Sequence, residues 1–258
     1  YESTKFAKLY YNDPKSNNRF INHYPPINSL VANKVKVASK EKQIVCITRF
    51  RKGDLHKGGD DILRIFCPEL SGYKIVFIVG TTNINIKNKI FSLAEKNNMK
   101  VAFLNKVSDK EKFEEIKKSK LMLFLSYFEG FGYPPVEALY CNTPCIVYDL
   151  PVLREVSGDG LIYIDKKLGV KEVVYKMLDV LDGNHKDKLP SYVYNKVDFN
   201  INSDTINNLL EDDLKRKTLN INNATIINRT VWGIKYQAWI LNAIYLVMKN
   251  IYKWLKGS

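Results

Sequence analysis

The sequence predicts an α/β protein built on a Rossmann-like, doubly wound parallel sheet, and three observations lead to that prediction. From residue 44 to about residue 183, short apolar runs alternate with amphipathic segments. The apolar runs are continuous, as in parallel strands that are buried on both faces, and the amphipathic segments have helical spacing. The chain has 258 residues, 45% of them hydrophobic and 12% aromatic, which is enough for a hydrophobic core.

The alternation assigns each element in order. Strands are expected at residues 44–48, 74–79, 100–104, 121–125, 145–148 and 161–164. Helices are expected at about 58–68, 86–97, 109–119, 134–141 and 170–182. In open α/β sheets, ligands bind outside the carboxyl ends of the strands. Four residues fall at such ends: Arg49, Gly80, Lys106 and Glu129.

The segments on either side do not follow this repeat. Residues 1–43 contain Tyr24-Pro-Pro-Ile27, which the two prolines predict to be extended. Residues 184–230 are polar and are interpreted as an irregular or partly helical insertion. Residues 231–258 predict a long amphipathic helix. Packing on protein is the favoured use of that helix, and contact of its Lys- and Trp-bearing end with a membrane surface is the alternative.

Charge and cysteine content narrow the class of protein. The formal net charge is +13, but the basic residues are dispersed and partly mixed with acidic ones, as on solvated helices, so nucleic-acid binding is disfavoured. The positive electrostatic potential of such a chain would also attract a nucleoside diphosphate or an anionic membrane surface. The four cysteines lack zinc-like spacing and are expected to be free thiols in a cytoplasmic protein. No apolar run is long enough to span a membrane.

One stretch combines a strand end, a glycine turn and a helix start between two glutamates. It reads Ser126-Tyr-Phe-Glu129-Gly-Phe-Gly-Tyr-Pro-Pro-Val-Glu137. Gly130 and Gly132 let backbone amides come close to a ligand, and a helix N-terminus attracts anions. A carboxylate at such a place can hold sugar or ribose hydroxyls. The stretch therefore predicts a site for a phosphorylated, polyhydroxylated ligand.

This stretch resembles the Glu-x7-Glu signature of retaining glycosyltransferases of the family 4 type, which have the GT-B fold. The resemblance covers residues 44–165 and implies the C-terminal, donor-binding half of such an enzyme, with residues 1–43 holding the end of the N-terminal domain and the linker. The matching landmarks besides the two glutamates are Ile44 to Arg49, Lys57-Gly58, Ile75 to Gly80, Val101 to Ser108 and Cys141 to Gly160.

The resemblance also implies roles for individual residues. Arg49 and Lys57 match the ligands of the donor diphosphate, where two cations can replace a metal ion. Glu129 matches the glutamate that faces the donor sugar, and Glu137 the ligand of the ribose hydroxyls. Glu129, Arg49 and Lys57 are the predicted catalytic residues. The other predicted donor-binding residues are Gly130, Phe131, Gly132, Gly80, Lys106, Val107 and Thr143.

The expected function is transfer of a sugar, of hexosyltransferase type, from a nucleoside-diphosphate sugar to an acceptor that the sequence does not identify. A lipid-linked or polysaccharide acceptor, a cytoplasmic or membrane-surface location, and an N-terminal domain or partner chain that completes the enzyme are further expectations. Neither a metal nor a cofactor is expected. Two alternatives stay open: a nucleotide-sugar-binding module without turnover, and a nucleic-acid-binding protein, which would leave Glu129 and Glu137 without a role.

Overall fold

The computed structural model describes residues 24–50, 55–183 and 191–218. All six predicted strands are present in these ranges, with ends that differ from the prediction by at most a few residues. The strands are β1 (Glu41–Phe50), β2 (Lys74–Thr82), β3 (Lys100–Asn105), β4 (Ser119–Phe124), β5 (Cys145–Tyr148) and β6 (Ile162–Ile164).

The six strands form one parallel sheet in the order β3-β2-β1-β4-β5-β6. The chain winds outward from β1 in one direction and then from β4 in the other, so the winding direction reverses between these two neighbouring strands. Their register pairs Ile44 with Leu121 and Val45 with Met122. In a doubly wound sheet, ligands bind in the crevice at this reversal. The predicted Rossmann-like fold class is confirmed.

The five predicted helices are also present, together with further short ones. A 3-10 turn at Leu55–Lys57 precedes the first helix after β1. The segment interpreted as partly helical contains two helices after residue 190, and the predicted helix at residues 231–258 lies outside the described residues. The helices are α1 (Ser29–Lys34), α2 (Gly59–Arg64), α3 (Ile84–Lys96), α4 (Asp109–Lys118), α5 (Tyr133–Tyr140), α6 (Pro151–Ser157), α7 (Gly169–Leu181), α8 (Ser191–Val197) and α9 (Phe199–Thr218).

Both faces of the sheet are buried under helices, which explains why the strands are continuous apolar runs. Successive residues of a strand point to opposite faces. Ile44 belongs to one core cluster with Ile62 of α2, whereas Val45 belongs to the other with Phe113 of α4 and Val136 of α5. Burial of each such side chain contributes about 1.5–3 kcal/mol. The sheet is therefore a rigid platform for the loops at its carboxyl edge.

The chain divides into two compact units, Tyr1–Ser203 and Asp204–Ser258. Within the first unit, the segment before β1 contacts the segment after α7. The Ile27 amide donates to the Val197 carbonyl at 2.9 Å, and the Phe199 amide donates to Ser29 Oγ at 2.9 Å. Of the helices that the structure describes, none is long and apolar enough to cross a membrane.

Candidate functional site

A glycine-rich loop, residues 125–132, follows β4 and is hydrogen-bonded to the 3-10 turn that follows β1. The Tyr127 amide donates to the His56 carbonyl at 2.7 Å, and the Ser126 hydroxyl donates to the same carbonyl at 3.1 Å. These bonds bring two predicted residues together. Lys57 Nζ lies 2.6 Å from Glu129 Oε1, with side chains that are 19% and 12% exposed, respectively. The two loops thus hold an ion pair at the point where the winding direction reverses.

Gly58 makes this approach possible. Its φ of 67° lies in the left-handed region, and a Cβ there would stand 1.9 Å from the Leu125 carbonyl oxygen. Only glycine fits, because that oxygen belongs to the backbone just after β4 and cannot swing away as a side-chain end can. Gly58 also precedes α2, so the turn that carries Lys57 lies directly against the end of β4.

The two glycines of the loop differ in their surroundings. Gly132 caps α5 with a φ of 86°, and a Cβ there would lie 2.3 Å from Leu153 Cδ2. A Cβ at Gly130 would meet nothing within 4 Å. Between them, Phe131 packs its ring 4.9 Å from the ring of Tyr133. The positive φ of Gly132 therefore favours glycine, and a Cβ there would also displace the end of the Leu153 side chain. Gly130 faces open space beside Glu129, where a ligand can approach the backbone.

Glu137 lies on α5 and is nearly buried, with a side chain that is 7% exposed. Lys112 Nζ of α4 lies 2.6 Å from Glu137 Oε1 and 2.9 Å from Asp109 Oδ1. Asn28 Nδ2 donates to the other oxygen of Asp109 at 2.7 Å. Burial raises the pKa of Glu137, and the neighbouring Lys112 ammonium opposes that shift.

The start of α4 is fixed by a capping box. Ser108 Oγ accepts from the Glu111 amide at 3.3 Å, and Glu111 Oε2 accepts from the Ser108 amide at 2.7 Å. Such a reciprocal cap satisfies two amides that the helix cannot pair by itself. The first turn of α4 is therefore well placed to aim Lys112 at Glu137.

Arg49 and Gly80 face each other at the carboxyl ends of β1 and β2. The register pairs Thr48 with Val79 but Phe50 with Thr82, so one residue of β1 stands opposite two of β2. This is the geometry of a β-bulge, which re-aims side chains at a sheet edge. Arg49 is exposed there. It shares this edge with Lys57, whose carbonyl accepts from the Thr48 hydroxyl at 3.4 Å.

Lys106 and Val107 follow β3 at the same edge of the sheet. Lys106 is exposed and has a φ of 53°, which is uncommon for a residue with a side chain. Val107 is half-buried and packs against the core cluster that includes Phe113. The structure therefore places these two predicted residues at the expected edge, on the outermost strand beside β2.

Thr143 is the predicted residue that the structure places elsewhere. Its hydroxyl is buried, donates to the Ile116 carbonyl at 2.8 Å and accepts from Lys40 Nζ at 3.0 Å. Lys40 also binds the carbonyl of Ser119, the first residue of β4. Thr143 precedes β5 and lies at the amino edge, opposite to the site. The prediction of Thr143 as a donor-binding residue is corrected on this ground, since its hydroxyl connects structural elements.

The structure adds residues that the sequence pattern did not indicate. Asp61 of α2 is buried and accepts hydrogen bonds from the hydroxyls of Tyr127 and Tyr148, the latter at 2.6 Å. Burial, together with the hydrogen bond to Asp61, raises the pKa of Tyr127. Asp109 and Lys112 are the other additions, and their helical spacing predicts their mutual ion pair. No sequence signal links Lys112 to Glu137, which lies 25 residues away.

The arrangement combines cations, carboxylates and open backbone at one edge of a parallel sheet. Arg49 and Lys57 supply positive charge for an anion, while Glu129 and Glu137 supply acceptors for hydroxyl groups. Among the described residues, no group of three or more His, Cys, Asp or Glu side chains is placed to hold a metal ion. The fold is that of a Rossmann-like protein, and the candidate site carries the groups that an anionic, hydroxyl-bearing ligand would need.

Comparison with known sequences defines the family. The profile described as "Glycosyl transferases group 1" matches residues 31–196. Since this match covers more than half of the chain, the protein belongs to that family. The fold is similar to that of the apo form of the lipopolysaccharide outer core galactosyltransferase WaaB, with a TM-score of 0.54 and 18% identity over 73% of this chain and 55% of that chain. The predicted relation to glycosyltransferases of GT-B type is confirmed at the level of the family, while the family 4 type and the retaining mechanism remain predictions.

Two bacterial relatives match part of the chain. The O-antigen chain mannosyltransferase RfbU of Salmonella typhimurium is 36% identical over 99 residues, which are 36% of this chain and 26% of that protein. The serotype-specific mannosyltransferase WbdA of Escherichia coli is 34% identical over 94 residues, which are 34% of this chain and 11% of that protein. The matched parts thus span about a quarter of RfbU and a smaller part of WbdA.

Proposed function

We propose that this chain supplies the donor site of a retaining glycosyltransferase that moves a hexose from a nucleoside-diphosphate sugar to a saccharide acceptor. The observation that carries the proposal is the Lys57–Glu129 pair. Two loops bring these side chains to 2.6 Å where the sheet reverses its winding. The exposed Arg49 lies at the end of β1, at the same edge of the sheet. Ligands of doubly wound folds bind at that place.

The basic residues fit the charge that develops in this reaction. The bond between the anomeric carbon and the diphosphate breaks with both electrons leaving on a phosphate oxygen. Cations placed at that oxygen stabilise the transition state. Arg49 can bind phosphate oxygens with two parallel N–H groups, and Lys57 can supply a compact charge without any metal ion. The acceptor hydroxyl then forms the new bond to the anomeric carbon on the face that the phosphate leaves, and its proton passes to the departing phosphate.

The carboxylates fit the two sugar rings of such a donor. We assign Glu129 to the transferred sugar, because it lies beside Lys57 and the open backbone of Gly130. We assign Glu137 to the ribose hydroxyls. Each carboxylate binds a lysine through Oε1. The second oxygen of an ionised carboxylate can still accept hydroxyl protons.

The relatives support the choice of substrates. RfbU and WbdA are named as mannosyltransferases and WaaB as a galactosyltransferase, so a hexose donor is the proposal that agrees with all three. The names also mention an O-antigen chain and a lipopolysaccharide outer core. We accordingly propose a polysaccharide or lipid-linked saccharide as the acceptor, reached from the cytoplasm at a membrane surface, which the net charge of +13 would favour.

Calorimetric titration with UDP-, GDP- and ADP-sugars tests the donor site. Binding of one of these donors by the wild-type chain is expected, with at least about a tenfold loss in Arg49→Ala and Glu137→Ala, because each removes a charge-assisted contact of about 1.5–3 kcal/mol. Lys89→Ala and Glu95→Ala are matched controls, since both residues are exposed on α3. Equal affinity in all variants would contradict the site. Sugar transfer to a saccharide by the same chain would exclude a donor-binding module without turnover.

A further inference from the structure

The contact between Lys112 and Glu137 joins two helices on one face of the sheet. Glu137 Oε1 lies 2.6 Å from Lys112 Nζ, and the Glu137 side chain is only 7% exposed. The same ammonium binds Asp109 at 2.9 Å and stands 4.7 Å from the centre of the Phe113 ring. Asp109 is in turn held by Asn28 at 2.7 Å. Lys112 is thus fixed from several sides, and its position is set by more than its attraction to Glu137.

We propose that Lys112 is a positioning residue of the nucleotide site, which binds one oxygen of Glu137 and so keeps the carboxylate ionised, with its other oxygen aimed at the ribose hydroxyls. This inference rests on the proposed function, since it presupposes a ribonucleotide beside Glu137. It adds a residue on α4, a helix from which the sequence pattern predicts no site residue. It also requires that the nearly buried carboxyl group of Glu137 be ionised when the nucleotide binds.

Hydrogen-bond chemistry explains why that state matters. An ionised carboxylate only accepts, so it can take the protons of two vicinal hydroxyls, whereas a protonated carboxyl group has lost part of this capacity. Burial favours the neutral form of a carboxyl group. A nearly buried Glu137 without a cation would therefore take up a proton instead of remaining charged, and its value as a hydroxyl acceptor would fall.

The charged and titratable groups around Glu137 are few. Lys112 opposes the effect of burial on the Glu137 pKa, while the more distant charge of Asp109 adds to it; both belong to α4. On its own helix and just after it, Tyr133 and Cys141 respond to the Glu137 charge, and burial is the main reason that their pKa values are raised. Lys112 is the cation in direct contact with Glu137 in the described part of the chain. Its removal is therefore expected to change the protonation of Glu137.

The test measures the affinity for UDP, GDP and ADP by calorimetry from neutral pH to about pH 5, a range that brackets a raised carboxyl pKa. Lys112→Met is expected to lose at least about tenfold in affinity at neutral pH, and its affinity should fall by up to about tenfold for each further pH unit, as one added proton requires. Lys112→Arg keeps a cation and should keep the wild-type pH profile. Lys110→Met, on the exposed side of the same helix, is the matched control.

A second variant separates loss of positioning from loss of folding. Lys112→Met combined with Glu137→Gln leaves no buried charge unpaired, so this double variant should fold even if the single one does not. If Lys112 acts through Glu137, adding Lys112→Met to Glu137→Gln should change the affinity by less than about twofold. A full additional loss would mean that Lys112 binds the nucleotide directly and would overturn the inference, as would a wild-type pH profile in Lys112→Met. If the wild-type chain binds none of the three nucleotides, the proposed function fails instead, and the inference that rests on it fails too.

Discussion

The Lys57–Glu129 and Lys112–Glu137 pairs have the same nitrogen–oxygen distance, 2.6 Å, but different supports. The first pair joins a 3-10 turn to a glycine-rich loop, and the second joins two helices of the core. Lys112 also has Asp109 as a second partner. A pair held by loops can open to exchange its partner for a ligand, whereas a pair held by helices keeps a carboxylate fixed. The two contacts therefore suit the two tasks proposed for Glu129 and Glu137.

The largest loss of stability is expected from a change in the backbone next to Lys57, which holds the Lys57–Glu129 pair (the loop pair) in place. Gly58→Ala is expected to lower the free energy of unfolding by about 3 kcal/mol or more, because its Cβ would collide with the Leu125 carbonyl and its φ is positive. Gly72→Ala is the matched control: its φ is 79°, but a Cβ there meets nothing within 4 Å. That variant should lose only about 1 kcal/mol. Urea unfolding of both variants gives the comparison, and equal losses would show that the close approach at Gly58 is unimportant.

Breaking the Lys112–Glu137 pair (the helix pair) should lower the free energy of unfolding more than breaking the Lys57–Glu129 pair. Lys112→Met is expected to destabilise the fold by about 3 kcal/mol at neutral pH, since it leaves a buried carboxylate unpaired. Lys57→Met should cost about 1 kcal/mol, because the loop can expose Glu129 to water.

The loss of stability in Lys112→Met should also depend on pH. Without Lys112, the folded-state pKa of Glu137 should lie above the unfolded value, so the folded chain binds the extra proton and is favoured as pH falls. The deficit of Lys112→Met should therefore shrink between neutral pH and about pH 5. Chemical unfolding at both pH values measures it. A deficit that stays constant or grows on acidification would argue against an unpaired carboxylate at this place.

A smaller loss of stability is expected from a substitution at Asp61, on the helix that follows Lys57. Asp61→Ala removes the acceptor shared by the hydroxyls of Tyr127 and Tyr148 and should cost about 2 kcal/mol of stability. Asp60→Ala, at an exposed position of the same helix turn, is the control. Since Tyr127 belongs to the glycine-rich loop, nucleotide-sugar affinity should fall as well in Asp61→Ala. Unchanged affinity in a folded Asp61→Ala protein would show that the hydrogen bonds of Tyr127 and Tyr148 to Asp61 do not position Glu129.

The smallest effect should come from the opposite edge of the sheet. Thr143→Val removes a buried hydroxyl that bonds Ile116 and Lys40, so stability should fall by about 1 kcal/mol. Nucleotide-sugar affinity should stay within about twofold of wild type, because the Thr143 hydroxyl bonds only structural elements at the opposite edge of the sheet among the contacts described. Thermal unfolding and calorimetry measure the two effects. A strong loss of affinity in a folded protein would restore Thr143 to the donor site.

Much of the fold followed from local patterns. The six strands were predicted because each is a short apolar run, and burial on both sheet faces requires such runs. The helix α6 (Pro151–Ser157) was not predicted, and α2 (Gly59–Arg64), predicted at about residues 58–68, is shorter than expected. The edge position of Arg49, Glu129, Gly80 and Lys106 was predicted, since the carboxyl ends of parallel strands share one edge. That rule does not extend to Thr143, which follows a helix.

The sequence by itself determined the parallel sheet, the family resemblance and the pairing of glycines with glutamates after β4. These features depend on residues close together in the chain, where periodicity and turn chemistry act. Only the tertiary structure decided that Lys57 contacts Glu129 and that Lys112 contacts Glu137, and it alone moved Thr143 away from the site. The physical reason is that an ion pair needs its two atoms close in space, and the distance along the chain does not fix the distance between loops and helices packed on a common sheet.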